Sequence, residues 1–428
     1  MEKSNQKYQA YVEILKEELI PAMGCTEPIA LAYGAAKARE VLGELPSRVK
    51  VEASGSIIKN VKSVIVPHTH HLKGIPAAVA AGIVAGDADK QLEVISGVDE
   101  SGKCHIDEFL RNIDIQTEYL ESDNVFDLII TLFKGSSYTK VRISDYHTNI
   151  ILIEKDQKIL FEKKDNKEEQ IEKSRVDRSL LDMESIWDFI NSVDCEDIQE
   201  VLERQIQYNT AISNEGLRGD YGANIGKVLL NSCSDNIRTR AKAKAAAGSD
   251  ARMNGCELPV IINSGSGNQG MTCSIPVIEY AKEYQVSHEK LLRALALSNL
   301  TAIHEKTGIG TLSAYCGAVS AAAGAGAGIA YLTGGDYKAV IHTIVNSLAI
   351  VSGIVCDGAK ASCAAKIAAS VDAAILGYDM YKQGQQFKGG DGIVMKGIEA
   401  TIQSVGRLGK EGMKETNKEI IKLMVKSK

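Results

Sequence analysis

The sequence predicts an α+β protein, with a mainly helical domain and a small α/β module inserted near the N-terminus. Apolar residues recur at helical spacing from about residue 180 onward, whereas between residues 46 and 155 they alternate with polar residues in short runs. The first 45 residues are also typical of helices, with the Ala and Gly content of the C-terminal part. We therefore predict that residues 1–45 pack on the helical domain. Residues 46–155 form the module, 156–180 a charged linker and 181–428 the helical domain.

Two helices are predicted at the N-terminus. Apolar residues recur among Glu and Lys over residues 8–19, which predicts an amphipathic helix that ends before Pro21. Pro28 then occupies the first turn of a second helix that extends to about Leu42. Cys25 lies on the turn between them, where the dipole of the second helix favours its thiolate form.

The module is predicted from alternating apolar residues, which indicate strands. The predicted strands cover residues 49–53, 61–66, 126–133, 139–143 and 150–154, and an Ala-rich run predicts a helix over 75–85. Residues 154–178 are dominated by Lys, Glu, Asp and Gln, which predicts a solvated hairpin end and a linker.

Helical periodicity then persists to the C-terminus. The predicted helices cover residues 186–193, 198–207, 225–230, 238–248, 275–284, 291–299, 314–331, 338–350, 363–376 and 393–408.

The composition excludes several classes of function. The net charge of −6 is spread over interspersed acidic and basic residues, so no basic face predicts nucleic-acid binding. Residues 1–9 lack the apolar core of a signal peptide, and the Gly-interrupted run 318–332 is short for a membrane span, so we expect a cytoplasmic protein with no membrane contact. Reduced thiols are expected in that compartment, so the nine cysteines do not predict disulfides.

Three of the cysteines are set among Gly, Ala and Ser. Cys316 precedes Gly317, and Cys356 and Cys363 flank a run that contains Gly358. Their spacing does not match the two-residue knuckles of structural zinc sites. Two alternatives stay open at this point: the thiolates bind an iron–sulfur cluster, or they are small core residues.

A second candidate is the Gly- and Ser-rich run at residues 263–270, between a predicted strand and a predicted helix. Such a turn presents unpaired backbone N–H groups that suit a carboxylate or a phosphate. The alternatives are a purely structural turn and, on a weak match, a dinucleotide site.

Other polar residues interrupt the apolar pattern. His147 and Asn149 lie between two predicted strands, on either a plain turn or an edge that faces substrate. In the helical domain Arg218 or Lys306 could bind a carboxylate, and His304 or Lys360 could transfer protons near neutral pH. The alternative for these residues is helix capping or a surface ion pair.

Four strings carry a family resemblance: residues 21–28 (PAMGCTEP), 265–270 (GSGNQG), 315–317 (YCG) and 356–363 (CDGAKASC). Together they resemble the L-cysteine desulfidase family, which is similar to the oxygen-sensitive iron–sulfur L-serine dehydratases of the alpha-chain type.

The resemblance implies non-redox α,β-elimination of L-cysteine to pyruvate, ammonia and hydrogen sulfide. It implies a 4Fe-4S cluster with Cys316, Cys356 and Cys363 as ligands and one open iron that acts as a Lewis acid. Residues 181–428 would then form the iron–sulfur catalytic domain. Cys363 is closer to Cys356 than in the dehydratase pattern, so Cys25 is its rival as third ligand, or else a catalytic thiol.

Within this hypothesis the remaining candidates receive roles. The bases considered for the Cα proton are Cys25, Lys360 and His304. The residues assigned to substrate binding are Ser264, Ser266, Gly267, Asn268, Gln269, His147 and Asn149. The expected partner is L-cysteine, and the chain could form a homodimer.

Three alternatives remain. L-Serine differs from L-cysteine in one leaving-group atom, so the chain could instead be an L-serine dehydratase. Elimination could also use pyridoxal phosphate, with Lys360 forming the Schiff base. In the third alternative the chain is a non-catalytic amino-acid-sensing protein.

Overall fold

A computed structural model describes residues 1–163 and 176–426, and it confirms the α+β class. Residues 164–175 of the predicted linker lie outside the described residues. The N-terminal segment contains the elements α1 (Gln6–Glu18), β1 (Pro21–Met23) and α2 (Thr26–Leu42).

The module contains a six-stranded sheet. Its strands are β2 (Arg48–Ala53), β3 (Ile115–Tyr119), β4 (Asp127–Lys134), β5 (Ser137–Ser144), β6 (Ile150–Lys155) and β7 (Lys158–Glu162). The spatial order is β3-β2-β4-β5-β6-β7, in which β2 and β3 are parallel and all other pairs are antiparallel. The module also contains α3 (Gly55–Val61), α4 (Gly74–Ala85), α5 (Glu100–Asn112) and the 3-10 turn Ala88–Glu93. Alternate residues of β2 and β4, such as Val49 and Leu128, are fully buried, as the period-two pattern predicts.

The structure corrects the module in three places. The predicted strand over 61–66 is wrong, because Val61 ends α3 and only Ile65 makes an isolated β-bridge. The sequence analysis also missed α5 and β3; α5 buries only Ile106 and Phe109, which leaves a narrow apolar stripe. Strand β7 forms within the stretch predicted as linker.

The C-terminal part is helical. Its elements are α6 (Met183–Ser192), α7 (Glu196–Arg218), α8 (Ile225–Ser232), α9 (Ile237–Met253), β8 (Pro259–Ile261), α10 (Gly267–Glu283), α11 (His288–Ile309), α12 (Gly317–Leu332), α13 (Tyr337–Ile350), α14 (Cys363–Lys382), α15 (Ile398–Arg407) and α16 (Lys414–Lys426). The Ala- and Gly-rich α12 packs against α10, α11, α13 and α14 at the centre of this part. None of the described helices is long and apolar enough to cross a bilayer.

Two contacts tie the N-terminal segment to the rest of the chain. β1 pairs with β8 as an antiparallel two-stranded sheet, with Met23 opposite Pro259. α1 packs on α7 and α11 of the helical part. α2 packs mainly on α4 and on strands β4 and β5, so the expectation that both N-terminal helices pack on the helical part is wrong for α2. The N-terminus of α2 therefore lies where the module and the helical part meet.

Candidate active site

One cavity brings together the four singled-out cysteines. Its lining includes Cys25, Cys316, Cys356 and Cys363, which come from the N-terminal segment and from three places in the helical part. All four are free thiols. Ser264, Ser266, Asn268, Gln269 and His147 line the same cavity. Most of the residues predicted separately therefore meet at one place.

Two of the cysteines are held by backbone pairing. Tyr315 and Val355 form an antiparallel bridge, beside which the Cys316 N–H donates to Ile354 O at 2.9 Å and the Cys356 N–H donates to Ala314 O at 2.7 Å. Cys316 is the N-cap residue of α12. Helix N-termini favour thiolates and provide N–H groups toward an anionic centre.

Cys363 is the first residue of α14, and its Sγ lies 3.7 Å from Gly358 O. Burial raises the pKa of Cys316 to about 12, and the neighbouring Cys356 adds to the increase. Burial likewise raises the pKa of Cys363, and Cys356 again contributes. These thiols ionise readily only if a positive centre binds among them.

The thiols of the cavity have the ligand chemistry of an iron–sulfur centre. Cys316, Cys356 and Cys363 are free and line one cavity. Cysteine thiolates are the usual ligands of such clusters. Among the described residues, no group of three or more His, Cys, Asp or Glu side chains is placed to hold a single metal ion. The three thiols therefore fit a cluster by ligand type.

The loop between Cys356 and Cys363 depends on a glycine. Gly358 has φ +96°, and a Cβ atom there would lie 2.3 Å from Lys59 O of α3. Lys59 is 1% exposed, and its Nζ donates to Cys356 O at 3.2 Å and to Asn417 Oδ1 at 2.8 Å. The cysteine loop is thus fitted closely against the module and against α16.

We expect Gly358→Ala to destabilise the protein more than Gly390→Ala. Both glycines have positive φ, but nothing lies within 4 Å of the Cβ position at Gly390, so only backbone strain applies there. The added overlap with Lys59 O should cost about 1–3 kcal/mol more of unfolding free energy. Urea unfolding of the two variants measures this difference, and equal losses would contradict the close fit.

The Gly-rich turn forms as predicted between β8 and α10. Ser264 and Gly265 have positive φ, and the backbone of Asn263 pairs with that of Ser266. Ser266 is the N-cap of α10, and its side chain makes no capping bond. Gly267 begins the helix eight residues earlier than predicted, so Gln269 lies in its first turn. Uncapped N–H groups at such a terminus favour an anion.

Cys25 is 3% exposed and lies next to a carboxylate. Its Sγ is 3.1 Å from Glu27 Oε2. Burial raises the pKa of Cys25 well above its ordinary value, and Glu27 raises it further. The expectation that the helix dipole favours the thiolate is therefore wrong for this state of the site, because desolvation and Glu27 outweigh the dipole.

Glu27 itself is ionised. Burial opposes its charge, but His147 and the Cys25 thiol hold the pKa of Glu27 far below its usual range. His147 Nε2 lies 4.0 Å from Glu27 Oε1, and Asn60 Nδ2 donates to the same oxygen at 2.9 Å. The Thr26 hydroxyl donates to Gly265 O at 2.8 Å, which fixes the start of α2 against the Gly-rich turn.

Four predicted residues are outside the lining of this cavity: Lys360, His304, Asn149 and Gly267, which begins α10 between two lining residues. Lys360 Nζ pairs with Asp357 Oδ1 at 2.5 Å, and His304 Nε2 lies 2.7 Å from Glu399 Oε2. Asn149 donates through Nδ2 to Ser144 O at 2.8 Å. Neither Lys360 nor His304 lines the cavity, and each is paired with a carboxylate, so the structure gives no support to Lys360 as the Schiff-base residue of the pyridoxal phosphate alternative.

Beyond the residues assigned to the site above, four lining residues have charged or amide side chains: Glu27, Asn60, Arg252 and Lys306. Lys306 is 6% exposed, and burial lowers its pKa to about 8. The cavity also contains several buried polar atoms without a hydrogen-bond partner, namely Asn60 Oδ1, His147 Nε2, Arg252 Nη2, Asn268 Oδ1 and Gln269 Oε1. Buried polar atoms are seldom left unpaired, so this set indicates a site that is completed by a polar ligand.

Fold and cavity define an α+β protein with a thiol-lined site for a small polar ligand. The sequence model of the serine dehydratase alpha chain matches residues 89–422, and the chain belongs to this family. Relatives matched over nearly their whole length include UPF0597 proteins of two bacteria. The protein of Desulfitobacterium hafniense is 61% identical over 99% of this chain and 98% of the relative. The protein of Lachnoclostridium phytofermentans is 54% identical over 98% of this chain and 100% of the relative. The relation to the serine dehydratase alpha chains expected from the motifs is thereby confirmed, and it connects the chain with lyase-type dehydratases.

Proposed function

We propose that this protein removes hydrogen sulfide from L-cysteine by α,β-elimination. Loss of the Cα proton and of the β-sulfur leaves aminoacrylate, and water then converts aminoacrylate to pyruvate and ammonia. The observation that carries the proposal is the single cavity that contains four thiols, the Gly-rich turn and a set of unpaired polar atoms.

The cofactor of this proposal is a 4Fe-4S cluster bound by Cys316, Cys356 and Cys363. Cys316 and Cys363 both interact electrostatically with Cys356, whereas the Cys25 thiol, although it packs in one cluster with Cys363, is hydrogen-bonded to Glu27 Oε2. This grouping supports Cys363 rather than Cys25 as the third ligand. When bound, a cluster with one open iron supplies a Lewis acid that stabilises negative charge on the leaving group.

The remaining lining residues bind and orient the amino acid. Because Asn60 Nδ2 donates to the ionised Glu27, its Oδ1 is the atom left to accept a hydrogen bond from the substrate ammonium. Glu27 adds a negative charge on the same side. The uncapped start of α10 receives the carboxylate.

Cys25 is the proposed base for the Cα proton. It lines the cavity, unlike Lys360 and His304. The thiol must lose its own proton before it can accept another. Glu27 Oε2 at 3.1 Å accepts the hydrogen bond of the thiol, but the pKa of Glu27 is too low for it to take the proton, which leaves to solvent, and the charge of Arg252 favours the thiolate. Lys306, which lines the same cavity and has a pKa of about 8, can exchange a proton near neutral pH.

We expect the anaerobically reconstituted and desalted enzyme to release sulfide and pyruvate from L-cysteine in equal amounts. The family match favours L-serine as a second candidate substrate, and pyruvate from L-serine without sulfide would identify that activity. The two assays are run on the same preparation, with iron and sulfide content measured in parallel. A cluster-loaded preparation that is inactive on both amino acids would contradict the elimination and favour the amino-acid-sensing alternative.

A further inference from the structure

Arg252 is a buried cation that forms no ion pair with any described residue. It lies near the end of α9, is 2% exposed and lines the cavity. Its Nε donates to Gly24 O at 2.9 Å, but Nη2 is buried without a partner. Within the described residues, no carboxylate lies within 4.0 Å of this guanidinium. A buried guanidinium without an anion is costly, so its retention calls for an anionic ligand.

The surroundings of Arg252 direct the guanidinium toward the Gly-rich turn. A Cβ atom on Gly267 would lie 2.5 Å from Arg252 Nε, so the side chain passes directly beneath the first residue of α10. The uncapped N-terminus of α10 and the unpaired Nη2 of Arg252 therefore lie close together. Arg252 is also close enough to Cys25 to lower the pKa of that thiol in part.

We propose that Arg252 binds the α-carboxylate of the amino-acid substrate, together with the N-terminus of α10. A guanidinium presents N–H groups in a fork that matches a carboxylate, which a single ammonium group does not. With the carboxylate on Arg252 and the ammonium on the side of Asn60 and Glu27, the Cα lies beside Cys25. The inference rests on the proposed function, because it identifies how the same site selects α-amino acids.

Binding of unreactive ligands tests this assignment apart from turnover. L-Alanine has no leaving group, and L-alaninamide lacks only the charged carboxylate. We expect the cluster-loaded wild type to bind L-alanine about 10- to 100-fold more tightly than L-alaninamide by anaerobic calorimetry, as a charge-assisted hydrogen bond predicts. Arg252→Gln should lose this preference, whereas Arg252→Lys should retain part of it because the charge remains.

Arg218→Gln is the matched control, because the Arg218 side chain is 83% exposed and outside the cavity lining. Its preference for L-alanine should equal that of the wild type. Thermal melting shows which variants fold. If Arg252→Gln does not fold, the preference of Arg252→Lys for L-alanine over L-alaninamide decides whether the guanidinium binds the carboxylate. A wild type that binds both ligands equally, or that binds no L-alanine, would overturn the proposal, as would an Arg252→Gln variant with an unchanged preference. Failure to release sulfide from L-cysteine would instead overturn the proposed function.

Discussion

Cys356→Ala is expected to abolish both cluster binding and elimination. Cys356 raises the pKa of both Cys316 and Cys363, and its backbone bonds to Ala314 and Lys59 join three parts of the chain. Removing one of three thiolate ligands leaves too few to hold the cluster. We expect the iron content to fall to background and elimination to decrease by about 10³-fold or more, since the Lewis acid contributes several kcal/mol to the transition state.

The matched control for this substitution is Cys233→Ala. Cys233 is exposed and follows α8, outside the cavity lining. Its variant should retain the iron, the visible absorbance and the activity of the wild type. Iron and acid-labile sulfide analysis of both variants provides the measurement. A Cys356→Ala protein with a full iron content would remove Cys356 from the ligand set.

Cys25→Ser is expected to separate catalysis from cluster binding. If Cys25 takes the Cα proton, its replacement by an alcohol should leave the iron content intact and reduce turnover by about 10²- to 10⁴-fold, the range for loss of a general base. The alternative role as third ligand predicts a different outcome, because the cluster itself would then be lost. Cys363→Ser provides the reciprocal measurement and should lose iron while Cys25→Ser does not.

Cys256→Ser controls for the loss of a buried thiol. Cys256 and Cys25 are both 3% exposed, but Cys256 lies outside the cavity lining. A comparable loss of turnover in Cys256→Ser would attribute the effect to packing rather than to proton transfer. Substrate binding by Cys25→Ser, measured with L-alanine, should remain close to that of the wild type.

The cysteines and the Gly-rich turn could be predicted because their residue types are informative. Thiols among small residues are typical of cluster ligands, and a Gly/Ser run before a helix is typical of an anion-binding turn. The structure brings both to one cavity. Their convergence is expected only from the family resemblance, because it depends on the pairing of β1 with β8 and on how α2 is placed. Neither pairing leaves a signal in local periodicity.

Arg252 and Asn60 were missed for different reasons. Arg252 lies in a helix with four other basic residues, where a charged residue is typical of a solvent-facing side. Asn60 lies next to Val61, in α3, where apolar spacing gave a false indication of a strand. Lys360 was selected for its position near the cysteines, but the neighbouring Asp357 binds its ammonium group. The direction of a side chain within a turn cannot be predicted from its position in the sequence.

The contact between Thr26 and Gly265 joins residues 239 positions apart and has a consequence for how the protein is made. At a synthesis rate of about 5–20 residues per second, the ribosome needs roughly 10–50 s to produce the partner of the N-terminal segment. During this interval β1 lacks its neighbouring strand, and Cys25 has none of the other cavity thiols near it. Contacts of such long range also form slowly. The three proposed cluster ligands, Cys316, Cys356 and Cys363, are synthesised later still, so the proposed cluster can assemble only on a nearly complete chain.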